Sequence, residues 1–195
     1  MKSKQGLCSV KFENLYGKRI DLIEINMEGL TDMYEYSKNP SFYTYMEYSP
    51  HRSLQETRQY LEKLIGRSIP GSGHYWFIFL KSEKKVIGTF GIMDIDRRKG
   101  SAKIGYGISF NCQGHGYFHE ALTLVLKHVF LNLGFHRILA ITRADNSASV
   151  KALEKGGFRK EGTMREYYLS VENGKRHDAE MLAILKNDFC HMEQK

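Results

Sequence analysis

Between residues 102 and 142 the sequence changes period twice. Ala102 to Phe110 (AKIGYGISF) is a β-type run, NCQGHGYF is a turn, and Leu122, Val125, Leu126, Val129, Phe130 and Leu133 then recur at helical spacing up to Gly134. His136 to Thr142 (HRILAIT) is β-type again. A helix laid between two strands carries the chain back to the end of the sheet where it started, so the two strands run parallel. A chain holding this unit must build an open sheet with a helix against at least one face.

Around the unit the pattern is antiparallel. KRIDLIEI at 18–25 reads as a first strand, and Leu30, Met33, Tyr34 and Ser37 as a short helix stopped at Asn39-Pro40, because the residue before a proline is pushed out of the α region. Ser53-Leu54-Gln55-Glu56 is a capping box, and Tyr60, Leu61, Leu64 and Ile65 give the second helix its buried stripe. HYWFIFL (74–80) and VIGTFGIMDI (86–95) form a hairpin with the charged KSEKK at its tip. Further on, Asp145 or Asn146 caps a short helix closed by Gly156-Gly157, and residues 163–171 and 179–185 are strands joined at Asn173-Gly174. The expectation is one α+β domain over residues 1–195, with a mixed, mostly antiparallel twisted sheet of about seven strands flanked by about four helices.

The 195 residues are 42% hydrophobic and 26% charged, with no apolar stretch approaching the roughly 18 residues that span a bilayer. Membrane-spanning and low-complexity classes are excluded. MKSKQGLCSVKF lacks the apolar centre of a secretory signal. Cys8, Cys112 and Cys190 are odd in number and widely spaced, which fits a reduced, cytoplasmic setting. Lys and Arg number 29 against 22 Asp and Glu, a net charge of +7 that favours anionic partners. His74, His115, His119 and His177 show no metal-ligand spacing, and no metal is expected.

The turn Gln113-Gly114-His115-Gly116-Tyr117 lies between a strand and the long helix. Such a turn aims several backbone N–H groups at one point, with the positive end of the helix behind them. Two glycines without Cβ let a phosphate approach the main chain. Neither GxGxxG with a downstream acid nor GxxxxGK[ST] is present, so the phosphate is not one held by a dinucleotide or P-loop fingerprint.

Three ordered segments, IGYGISFNCQGHGYFHEAL (104–122), GFHRILAITRADNSASVKALEKGGF (134–158) and EGTMREYYLSVENGKRHDAEMLAIL (161–185), resemble the GNAT acyl-CoA N-acetyltransferases. Within them the likeness is to the Rim-type branch, which includes ribosomal-protein N-terminal acetyltransferases. The resemblance implies a GNAT fold with a central splay, where strand 104–110 parts from strand 137–142, and acetyl-CoA as co-substrate. Gln113, Gly114, His115, Gly116, Tyr117 and Phe118 would form the pyrophosphate loop. Pantetheine would pair with main chain at Ile108, Ser109 and Phe110 like an added strand. Asn146 and Ser149 match the family's N-x-x-S pattern and would approach the pantetheine and thiol; the same residues also read as a helix cap and a first-turn hydroxyl. Two positions depart from the family: Phe118 stands where Gly or Ala is common, and Leu153 where many relatives place a Tyr acid.

Direct acetyl transfer needs a neutral amine, an oxyanion donor and a route for protons. By resemblance the Ile108 N–H is the oxyanion donor, Ser149 the group nearest the departing thiolate, and Glu166 in MREYYL the base. Tyr168, two residues on, is the alternative occupant of that last place. Tyr43, Tyr45 and Glu47, in the connection between the first two helices, would line the acceptor pocket with Tyr168, although aromatics also fill cores; Trp76 reads as core. Cys112 lacks an activating triad, which argues against a covalent intermediate. The acceptor implied first is a protein N-terminal amine, then a small amine such as an amino sugar, sugar nucleotide or antibiotic; a catalytically silent CoA-binding module is the third reading. No nucleic-acid or membrane partner is expected, since Arg97-Arg98-Lys99 reads as a hairpin tip. Dimerisation is common in this fold, and the sequence identifies no interface.

Overall fold

A computed structural model of the chain describes residues 12–68, 73–171 and 173–193; Cys8 lies outside them. The strands are β1 (Leu15–Tyr16), β2 (Ile20–Glu24), β3 (Gly73–Leu80), β4 (Lys85–Asp96), β5 (Ser101–Ile108), β6 (Arg137–Arg143), β7 (Arg159–Leu169) and β8 (Arg176–Leu185). The helices are α1 (Leu30–Ser37), α2 (Leu54–Arg67), α3 (Tyr117–Lys127), α4 (Ser147–Lys155) and α5 (Lys186–Glu193). The strands form one sheet in the order β1-β2-β3-β4-β5-β6-β8-β7, antiparallel throughout except for β5 with β6. The mixed, mostly antiparallel α+β architecture expected from the sequence is present, with β1 and α5 added to the expected elements.

Strand alternation sorts the apolar residues to two faces. Trp76, Ile78 and Leu80 of β3 join Phe90 and Ile92 of β4 and Ala102, Ile104 and Ile108 of β5 under α3, whose Leu122, Val125 and Leu126 repeat at helical spacing. Phe77, from the opposite face of β3, packs with Met33 and Tyr36 of α1 and Leu61 and Leu64 of α2. Among the described residues no helix is long and apolar enough to cross a membrane.

The local signals act where they stand. Ser53 Oγ accepts the Glu56 N–H (3.2 Å), while the Glu56 carboxylate reaches back one residue further, to the Arg52 N–H (2.8 Å). Asn146, not Asp145, caps α4, accepting the Ser149 N–H at 3.1 Å. Past Lys127 the long helix is wound one residue wider over His128–Asn132, closing with Leu133 N–H on the His128 carbonyl (3.0 Å).

His74 packs between Phe12 and Trp76, with ring centroids 4.9 and 4.4 Å away, and its Nε2 has no partner among the described residues. Burial first, and the nearby His128 second, push its pKa down to about 4. An unfolded histidine titrates near 6.5, at about its ordinary value. Between those two values the unfolded chain binds more protons, so stability falls as the pH drops from about 6.5 towards 4. His74→Phe is expected to flatten that limb of the stability-against-pH curve in urea unfolding; an unchanged slope would clear His74 as its source.

Candidate active site

β5 and β6 are bonded neighbours only from Ser101↔Arg137 to Ile104↔Ala140. Beyond that, β5 stays with β4 as far as Ile108↔Gly88 while β6 stays with β8 as far as Arg143↔Ala179, and the two strands part. The Ser109 N–H bonds to the Ile87 carbonyl of β4 (2.7 Å). Successive residues turn their main-chain groups to opposite sides, so those of Tyr106 and Ile108 face the gap that β6 has left. Gln113 Nε2 donates to the Ile108 carbonyl there (3.2 Å), and a cleft of about 1090 Å³ runs past both.

On the α3 face the gap is held by aromatic packing. The Tyr106 ring lies 4.1 Å from that of Phe118 and 5.9 Å from that of Phe90, and its hydroxyl is 2.7 Å from Ser149 Oγ. Burial raises the Tyr106 phenol well above its ordinary range, against the smaller lowering effect of Ser149. The bulk of Phe118, where Gly or Ala is common in the family, therefore packs against the core through Tyr106 and Phe90 while still lining the cleft.

In that loop Gly114 and Gly116 have φ of +77° and +79°, the left-handed region that glycine enters without strain. A Cβ on Gly114 would meet nothing within 4 Å. Among the described residues the amides of Gly114, His115 and Gly116 donate no backbone hydrogen bond. Behind the loop, Glu120 in the first turn of α3 accepts from Arg19 N–H (2.7 Å), Arg19 Nε (2.9 Å) and Ile20 N–H (3.3 Å). Arg19 Nη1 in turn donates to the His115 carbonyl (2.8 Å), and its guanidinium sits 4.9 Å from the Tyr117 ring centre. Burial alone would raise the Glu120 carboxyl, but the bonds from Arg19 and Ile20 outweigh it and hold it below the usual range. Unbonded amides at the positive end of a helix suit an anion.

On the opposite face, the connection between α1 and α2 lies over β5: a Cβ on Gly107 would stand 2.7 Å from the Phe42 ring. Glu47 Oε1 accepts the Leu169 N–H of β7 (2.8 Å), and the Tyr168 hydroxyl donates to the Ile141 carbonyl of β6 (3.2 Å). Burial is the main cause that pushes the Tyr168 phenol up to about 12. Arg143, buried at the end of β6, binds the Asp145 carboxylate, donates to the Thr44 carbonyl (3.1 Å) and reaches His177 Nδ1 (3.0 Å). It ties the connection to β6 and β8.

Of the residues singled out in the sequence, Ile108, Phe110, Gln113, Gly114, Gly116, Tyr117, Phe118, Asn146, Ser149, Tyr43, Tyr45, Glu47 and Tyr168 line the cleft; Ser109, His115 and Glu166 do not. Ser109 turns its amide to β4, and Phe110 begins the tight turn Phe110–Cys112, so extended main chain facing the gap ends at Ile108. His115 folds back, its Nδ1 2.7 Å from the Gln113 carbonyl. Glu166 sits exposed on a β7 bulge between Met164 and Tyr168, at φ +53° with its N–H on Asp178 (2.8 Å). Tyr168 reaches the cleft in its stead. Cys112 is buried, and burial chiefly raises its thiol, which disfavours the thiolate a nucleophile needs. Sequence reasoning passed over Tyr106, Arg143 and the Arg19–Glu120 pair; only Tyr106 carried a signal, its alternation with Ile104 and Ile108.

Residues 19–159 match the family model described as acetyltransferase (GNAT) domain. The chain is 30% identical over 178 residues to the uncharacterized N-acetyltransferase p20 of Bacillus licheniformis, spanning 91% of this chain and 99% of that protein. It is 32% identical over 120 residues to the ribosomal protein uS5-alanine N-acetyltransferase of Escherichia coli strain K12, 61% of each. Its fold superposes on spermidine N-acetyltransferase from Vibrio cholerae, a structure in complex with CoA and spermine, with a TM-score of 0.75 at 22% identity over 88% of this chain and 98% of the other.

Glu120→Ala removes three accepted bonds behind the loop. The expected cost is about 2 kcal/mol, a Tm lowered by about 5 °C, with faster amide exchange over residues 113–118. Unchanged melting and unchanged exchange would show that the loop does not depend on this clamp.

Proposed function

This chain belongs to the GNAT acetyltransferase family and is an acetyl-CoA-dependent N-acetyltransferase; on that premise we propose that residues 1–195 form one such domain whose acceptor is the N-terminal amine of a protein. The charge of the acceptor side carries this reading. Lys63, Arg67, Lys103 and Arg143 line the cleft against Glu47 and Glu56. Both carboxylates are already engaged by main-chain amides, those of Leu169 and Arg52, at 2.8 Å each. A polyamine would bring several ammonium groups to a surface lined by more cations than carboxylates. A peptide N-terminus brings a single amine, neutral in its reactive form, followed by a chain that can lie along the cleft. The likeness to the uS5-alanine enzyme supports the same choice.

Acetyl-CoA supplies the acyl group already activated as a thioester. The amides of Gly114, His115 and Gly116, with the N-terminus of α3, receive its pyrophosphate, and the main-chain groups of Tyr106 and Ile108 receive the pantetheine amides as a neighbouring strand would. The Ile108 N–H stabilises charge that develops on the acyl oxygen. Tyr106 Oη and Ser149 Oγ share a hydrogen bond of 2.7 Å in which either hydroxyl can donate; when Tyr106 donates, the Ser149 proton is free to turn towards the departing sulfur, and a bonded chain of hydroxyls is a better donor than either alone. Tyr106 is thus a positioning residue. Glu47 keeps Oε2 without a partner among the described residues and takes the amine proton directly or through water, a role that the solvent-facing Glu166 is poorly placed to fill.

Turnover against N-terminal peptides, spermidine and glucosamine tests the acceptor. Peptides are expected to be favoured by about a hundred-fold or more in kcat/KM; spermidine or glucosamine above every peptide would overturn the assignment. Tyr106→Phe keeps the ring stack and removes the hydroxyl. It is expected to lower kcat about ten-fold with KM for acetyl-CoA unchanged, Ser149→Ala to do the same, and the double variant to lose little more. Additive losses would separate the two residues.

A further inference from the structure

The acceptor side of the cleft has a direction. The connection between α1 and α2 covers Gly107, beside Ile108, while the far end of α2 sits over the beginning of β5: a Cβ on Gly73 would lie 3.6 Å from the Arg67 carbonyl, Gly73 pairs with Met93, and Met93 pairs with Lys103. From Ile108 to Lys103 the strand runs about 17 Å. From Glu56 to Arg67 the helix runs about 16 Å alongside. Gly91 and Gly105 stand opposite one another in the β4–β5 ladder, and the Tyr75 ring and the Met93 side chain lie over them, so Thr89, Tyr75 and Met93 form the floor between strand and helix.

The two ends differ in charge. Glu47 follows Met46, which with Phe42 covers Gly107 beside Ile108, and Glu56 is near Tyr43, whose ring packs on Phe42; Lys63, Arg67 and Lys103 line the rest. Lys103 is paired with Asp94 at 2.6 Å. Lys63 and Arg67 are exposed and have no carboxylate partner among the described residues. They stand four residues apart on one helix face, where like charges repel, and no carboxylate among the described residues neutralises them.

Resting on the reading of a protein N-terminus as acceptor, the geometry points to a peptide that lies extended along this groove and carries an acidic side chain which Lys63 and Arg67 bind. The reacting amine sits at the Ile108 end. An extended chain advances about 3.3 Å per residue, so a carboxylate opposite Lys63 and Arg67 belongs to about the fourth to sixth residue. The carboxylate fits because it neutralises both cations at once. The groove selects by charge at its far end and leaves the residue at the amine to the tyrosine-lined pocket.

The test uses the full chain with acetyl-CoA and peptides that differ only in Asp, Asn or Lys at the fourth, fifth or sixth position. Asp at one of these is expected to lower KM about ten-fold relative to Asn, with kcat and KM for acetyl-CoA unchanged, and the preference is expected to fade as salt rises from about 50 to about 500 mM. Lys63→Glu with Arg67→Glu is expected to reverse the order, favouring the Lys peptide. Equal KM values for Asp and Asn peptides at all three positions, or a preference for Asp that survives the double reversal, would overturn the acidic subsite while leaving the N-terminal reading intact. Turnover of glucosamine or spermidine with none of any peptide would overturn the N-terminal reading itself, and the subsite with it.

Discussion

The parting of β5 from β6 is the constraint on which the site depends. A main-chain N–H or C=O left unpaired inside a sheet is costly, so two neighbouring strands close up unless something holds them apart. Here each strand has a better-matched partner on its far side: β5 continues on β4 to Ile108 and β6 continues on β8 to Arg143. The space between is filled from both faces. Tyr106, Phe118 and Ser149 occupy the α3 side, and Phe42 approaches Gly107 from the other. Closing the gap would require the Tyr106 stack to leave the core, a change of several buried rings.

The loops that serve the gap are anchored to the sheet by long-range polar contacts. Glu120 joins the first turn of α3 to the start of β2 through Arg19, and Arg19 continues to the His115 carbonyl. Arg143 does the same on the acceptor side, drawing Thr44, Asp145 and His177 to the end of β6. The Asp145 carboxyl is held below its ordinary range, first of all by its hydrogen bond from Arg143. Rigid placement of both loops keeps the order of a site made largely from main-chain groups, which cannot be corrected by a side-chain rotamer.

This division explains which parts of the molecule could be read in the sequence. The strands, α1 to α4 and the glycine turn were legible because each is written in local chemistry: a period, a cap, a proline, or a pair of glycines at left-handed φ. β1, two residues long, and α5, a short helix directly following β8, carried too little pattern to see. The exchange of Glu166 for Tyr168 in the cleft has a definite cause. Three residues of β7, 165 to 167, stand opposite the single residue Asp178 of β8, and a bulge of that size cancels the alternation by which a strand residue is assigned a face. Arg143 and the Arg19–Glu120 pair were invisible for a different reason, since apart from Asp145, two residues from Arg143, their partners lie from 34 to 101 residues away.

On the reading proposed above, the two substrates are met by different parts of the chain's chemistry. The proposed donor side offers amides, a helix end and exposed strand edges, which any sequence with the right glycines and the right parting of strands can supply. That is why a family match and a short loop motif speak so directly to acetyl-CoA. The proposed acceptor side offers side chains on α2, on the connection and on β7 just past its bulge, where Lys63, Arg67, Glu47 and Tyr168 are choices that the fold does not dictate. Proteins that share this sheet can therefore share a donor and differ completely in acceptor, and the acceptor of this one has to be argued from its own charges.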